Sequence, residues 1–177
     1  AAAVGKAVGS NQISNAIEVF IDGSSVTTPG SLKLEAVESA TIASTSQMAA
    51  LSAGLIAVAG GGADSNGVVT TATKAYVKDS TLLLGGGLII DARDMSIASA
   101  VVESTSVAAG IGFASTGSEA RSTLQPTVSA TVQNSTVTAT GDVAITADSK
   151  TWGSVLAEGN SFGLFAAARS NATSTLD

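Results

Sequence analysis

Val77-Lys78-Asp79-Ser80-Thr81-Leu82 is the stretch on which the reading of this chain turns, because it occurs three times. Its counterparts are Ile21-Asp22-Gly23-Ser24-Ser25-Val26 and Val132-Gln133-Asn134-Ser135-Thr136-Val137, aligned without a gap. The register holds downstream of each. Gly30, Gly86 and Gly141 correspond, as do Leu32, Leu88 and Val143, then Leu34, Ile90 and Ile145, then Ala36, Ala92 and Ala147. The offsets between copies are 56 and 55. A second half follows more loosely, with Gly54-Leu55-Ile56, Gly110-Ile111-Gly112-Phe113 and Gly163-Leu164-Phe165 in correspondence at offsets of 56 and 53. Self-similarity at such a period is the signature of a repeat architecture.

Within a unit the apolar pattern has period two. Leu32, Leu34 and Ala36 alternate with Lys33 and Glu35, and Val143, Ile145 and Ala147 alternate with Ala144 and Thr146. That spacing marks strands with one buried face. Asp22-Gly23-Ser24, Thr28-Pro29-Gly30 and Gly85-Gly86-Gly87 read as turns, since Gly and Pro supply the angles that end a strand. The matched glycine marks a corner that excludes a Cβ. The Ala-rich run Ala49–Ala59 is open to a helical reading, but its counterparts carry Gly, Ser and Phe instead.

A unit of this size cannot bury its apolar face alone, so copies must stack, with strands in register at ~4.8 Å. The expected fold is all-β: a right-handed parallel β-helix, or β-solenoid, of about three ~55-residue repeats. Six strand-like segments per unit suggest two coils of three strands each, with three shorter coils as another fit. Stacked antiparallel hairpins are the competing topology, on the long alternating stretch Ser96–Phe113. The chain reads as one repeat body: residues 1–15 the tail of a preceding copy, 16–72 repeat 1, 73–127 repeat 2, and 128–177 an incomplete repeat 3. It opens Ala1-Ala2-Ala3 without a signal-peptide pattern, which reads as a segment of something larger.

Composition points the same way. Aromatic residues make up 3% of the chain and charged ones 12%, while small and β-branched residues abound, favouring thin repetitive sheets over a thick core. A net charge of −6 with no basic cluster argues against nucleic-acid binding. The most apolar run, Met48–Ala59, covers about half of the ~20 residues a membrane helix needs. The absence of cysteine excludes a disulfide scaffold and suits a large bacterial surface protein.

With no His or Cys, nucleophilic catalysis would need a Ser–Lys pair, and Lys33, Lys74 and Lys78 stand in repeat or turn contexts. Asp91, Arg93 and Asp94 would suit a uronate and a metal, but Asp91 alternates with inward Ile90 and Ala92 and reads as a solvated outer residue. Gly60-Gly61-Gly62-Ala63-Asp64-Ser65-Asn66-Gly67 has the look of a calcium-binding nonapeptide, yet it occurs once and reads as a flexible turn. Thr136-Val137-Thr138-Ala139-Thr140 and Thr71-Ala72-Thr73 suggest an ice-binding array, which fails because Leu83 and Gly85 replace Thr138 and Thr140 in the second copy. Trp152 matches Ile97 and Ile42 at intervals of 55 and, like Tyr76, reads as a packing element. No catalytic, cofactor-binding or metal-ligating residue is therefore assigned, and no enzyme activity or cofactor is expected.

Ala75-Tyr76-Val77-Lys78-Asp79-Ser80-Thr81, the run from Gly86 to Ala92, and Thr140-Gly141-Asp142-Val143-Ala144-Ile145-Thr146-Ala147-Asp148 together resemble the repeat unit of giant bacterial surface proteins. The likeness is to leukotoxin-like filamentous adhesins and related β-strand-repeat proteins, and it spans nearly the whole chain. The second copy departs from it in carrying Gly87 where an Asp is usual. The resemblance implies export to the bacterial cell surface and a filamentous β-helix-like body. The expected role is a structural stalk or body segment of a secreted adhesin. Its partners would be neighbouring repeats of the same chain and host or cell-surface glycans or proteins. A carbohydrate-binding or carbohydrate-cleaving β-helix is the alternative, with ice binding behind it.

Overall fold

The computed structural model describes all 177 residues, and every regular element in it is a strand. In chain order these are β1 (Ala2–Asp22), β2 (Ser25–Thr28), β3 (Leu32–Lys78), β4 (Thr81–Leu84), β5 (Leu88–Gln133), β6 (Thr136–Ala139), β7 (Val143–Phe162) and β8 (Phe165–Leu176). All pairing is parallel, in two ladders: β1-β3-β5-β7 with β8 also on β5, and β2-β4-β6. Parallel stacking of successive copies is the expected solenoid, and it excludes the antiparallel hairpins.

The coil count differs from the sequence reading. Ala2 pairs with Val58, Leu32 with Leu88 and Leu88 with Val143, so a strand's partner lies one whole repeat away. Each repeat is therefore one coil, where two or three had been expected. β3 does not run straight. Ser65 Oγ donates to Ser44 Oγ at 2.8 Å, a contact possible only because the strand turns back on itself near Gly54–Ile56, where the register shifts. An outgoing limb, residues 32–53, thus faces a return limb, residues 56–78, and β5 repeats the arrangement one coil on. β1 is the return limb of the coil below, so the tail of the preceding copy continues as strand past Asn15 to Asp22.

Two unlike interiors result. At the base, the short β2-β4-β6 sheet props the limbs apart, and Leu34, Leu82, Leu84, Leu88, Ile90 and Val77 fill the space. Toward the tip no third sheet intervenes, and the limbs close on Ala57, Ala59, Ala63, Ala100, Ala114 and Ala120 with serines among them. The approach is close enough for a serine hydroxyl to reach the opposite main chain: Ser122 Oγ donates to the Ala98 carbonyl at 3.2 Å and Ser118 Oγ to that of Glu158 at 2.7 Å. The narrow gap also bears on Gly61 and Gly67, the two glycines of Gly60–Gly67 that face it. These residues lie inside β3 as extended strand, not in a turn, and Gly61 sits where an added Cβ would meet Met48 Cε at 2.8 Å.

The matched column Leu34, Ile90 and Ile145 stacks as expected. Leu34 and Ile90 are buried, whereas Ile145 is 47% exposed because the last return limb reaches only Leu176 and nothing faces it. The corner glycines are explained for two coils. A Cβ on Gly86 would press on Ser31 N at 2.8 Å and one on Gly141 on Gly87 N at 2.9 Å, each a residue of the coil below. Gly30 has no such neighbour, and a Cβ there would meet only Thr28 Oγ1 at 3.9 Å.

Unequal coil lengths are absorbed at the tip. The spacing between β3 and β5 is 56 up to Ala53↔Ala109 and becomes 55 from Ile56↔Ile111. From the second to the third coil it is 55 up to Val107↔Phe162 and 52 from Phe113↔Phe165. The offsets of 56 and 53 taken from the tip glycines are thus each one residue too long for the return limb.

Candidate functional site

The outer face of the return limbs carries a shallow trough of about 570 Å³ lined by Lys6, Asp64, Glu119, Arg121, Arg169 and Asn171 among others. Its floor follows from strand register. Lys6, Gly62, Gly117 and Arg169 are successive partners in one row, so two glycines lie between two cations. The next outer row is Val8, Asp64, Glu119 and Asn171. Lys6 pairs with Asp64 at 3.3 Å and Arg121 with Glu119, while Arg169 has no ion-pair partner. The row spans three strand steps, about 14 Å. Mixed charge, an amide and a free guanidinium on a shallow floor can grip hydroxyl and carboxylate groups. The sequence reading missed this trough, since its residues are scattered from Lys6 to Asn171 and meet only through the register.

The tip is the second surface feature. Leu55 is 90% exposed, and Ile56, Ile111, Phe113, Leu164 and Phe165 are also exposed along the axis of the stack. Phe113 and Phe165 stack with ring centroids 5.0 Å apart. Residues 39–63, 104–118 and 159–168 contain no charged side chain, so each coil contributes an apolar, uncharged edge.

The residues singled out in the sequence do not converge. Asp91 and Arg93 are on the outer face and Asp94 is inside, because they fall on opposite phases of the alternation. Asp91 is outward but not solvated: it is buried under the Arg93 guanidinium, with which it pairs. Lys33, Lys74 and Lys78 are held by Glu35, Glu18 and Asp79 at 2.7, 3.0 and 3.6 Å, and none is hydrogen-bonded to a serine. The hydrogen bond and charge of Lys33, with the charge of Arg93, keep the Glu35 carboxyl below its ordinary range. Thr71 and Thr73 point inward and are buried, so no threonine array forms with Thr136 and Thr138 on the short third sheet. Tyr76 stacks on Phe20 at 5.3 Å on the outside of the return limbs. Trp152 is likewise no core element. Its register partner is Ile97, which pairs with Thr41 and not Ile42, and this outer column leaves Trp152 54% exposed. No protein-family model, curated protein or solved structure matches this chain.

Proposed function

We propose that this chain is a body segment of a long secreted bacterial adhesin, in which coil upon coil carries binding regions away from the cell surface. The observation that supports this reading is the register: three copies stack in parallel with the base and outgoing limb in step, and differences in length are shed at the tip. A coil built this way offers the next one the same ladder of backbone groups, so the body extends by repetition. Its partners in that role are the adjoining repeats. The test is to express proteins with increasing coil number and measure their dimensions by small-angle scattering. Thickness should rise by ~4.8 Å per coil while the width stays constant. A width that changes with coil number, or particles that do not thicken, would remove the reading.

A second reading, carbohydrate binding, is favoured by the Lys6–Arg169 trough. A glycan array probed with the parent protein and with Arg169→Ala distinguishes the two. Binding to acidic sugars that this substitution abolishes would make the trough the functional site.

A further inference from the structure

The interior of the limbs holds two carboxylates with no cation to answer them. Glu38 and Asp94 are register partners on adjoining coils, about 4.8 Å apart along the stack. Both point inward, at 5% and 3% exposure. Across the gap, Asn15 and Thr71 are register partners on the return limbs, and Asn15 Nδ2 donates to Glu38 Oε1 at 3.1 Å. That contact sets the two pairs face to face. The Ser96 hydroxyl donates to Asp94 Oδ1 at 2.7 Å. Asp94 Oδ2 has no partner, and neither has the hydroxyl of Thr71, which is 1% exposed.

None of the eight Lys and Arg side chains lies inside. Seven make ion pairs on exposed surface, and Arg169 lies on an outer row of the return limbs. Two buried carboxylates without a counter-charge are costly to a fold. We propose that Glu38, Asp94 and Thr71 bind a calcium ion inside the solenoid, bridging two coils. The donors are carboxylate and hydroxyl oxygens, the choice of a hard cation, and two negative charges match a divalent one. The Glu38 carboxylate, Asp94 Oδ2 and Thr71 Oγ1 supply four oxygens, and water completes the shell of six to eight that calcium takes. Calcium suits this irregular set better than magnesium, which demands near-ideal octahedral geometry. Solvent reaches the site past Asn15, which is exposed.

The test is melting of the whole chain at neutral pH, followed by circular dichroism, in EDTA, in millimolar calcium chloride and in millimolar magnesium chloride. Calcium should raise the melting temperature by about 5 °C or more over EDTA, and magnesium by far less. Metal analysis after desalting from calcium should find one ion per chain. Glu38→Gln and Asp94→Asn should keep the strand signal and lose the calcium increment, whereas Asp64→Asn, on the outer face, should keep it. Equal melting of the parent in EDTA and calcium overturns the site. So does an increment that Asp64→Asn loses as fully as Asp94→Asn, since that marks ions on the surface.

Discussion

The base and the blade of each coil are made by the same chain from opposite materials. The base is wide, propped by a third sheet and filled with Leu, Ile and Val; the blade is two limbs pressed together on Ala, Ser and Gly. In the base, stability comes from apolar area removed from water, roughly 25 cal/mol per Å². In the blade little area is available per residue, and closeness matters instead, through dispersion and through hydroxyls that reach across. The difference teaches that small residues here are not spacers between structural elements. They are the condition for two long limbs to meet.

The largest effect should come from changing the length of a limb, because one residue removed turns the inward side chains outward from that point to the tip. Deleting Ser44 from the middle of the blade should abolish the cooperative transition. Deleting Leu55 from the tip should leave it within a few degrees of the parent, since Ala53-Gly54-Ile56 would then match Ala109-Gly110-Ile111 one coil on. Thermal melts of the two deletions decide this, and equal damage from both would show that the tip does not absorb length.

Next in size is Ile90→Asp, which places an unpaired carboxylate in the base, where Ile90 is fully buried. A loss of about 4 kcal/mol or more is expected in urea titrations. A midpoint near the parent's would mean that Ile90 is not inward. Two substitutions then contrast the regions. Leu88→Ala hollows the base and should cost about 2–5 kcal/mol, whereas Ala100→Leu overfills the blade and should cost about 1–3 kcal/mol, or more if the limbs part. Ala100→Ser should fall within about 1 kcal/mol, because Ser44 already occupies the same column one coil below. If the blade accepts Leu as readily as Ser, its limbs are not in contact.

What was legible in the sequence follows the same division. Leu34, Ile90 and Ile145 stand out from Lys33, Glu35 and Asp91, so the base and its register could be read at their true spacing. In the blade both faces mix Ala, Ser and Thr with an occasional larger apolar residue, such as inward Met48 and outward Leu51, and hydropathy scarcely separates them. The strand through Gly60–Gly67 was therefore invisible and its glycines passed for a turn. Trp152 was traced to Ile42 by carrying an interval of 55 into a coil whose spacing there is 56. The trough and the Glu38–Asp94 pair depend on which residues the coils bring side by side, and that required the pairing itself.

The smallest effect concerns Glu35, on the outer face of the base. Lys33 and Arg93 hold its carboxyl below the ordinary 4.5, so its contribution is complete above that value and fades as pH falls through the lower folded one. Glu35→Gln should lower the melting temperature slightly at neutral pH, with the gap closing in acid. A gap that widens on acidification would mean that the pairing does not favour the folded state.

A coil of this shape takes some 55 residues to advance one strand spacing of ~4.8 Å, so each coil adds far more breadth than length. The limbs make the body a plank, about 70 Å across and about 10 Å or less through the blade. Bending resistance grows with the cube of depth, so such a plank is on the order of fifty times stiffer edgewise than flatwise. A long run of these coils would hinge readily in one plane while standing rigid in the other, and would present its apolar tip along one edge and its charged trough on one broad face.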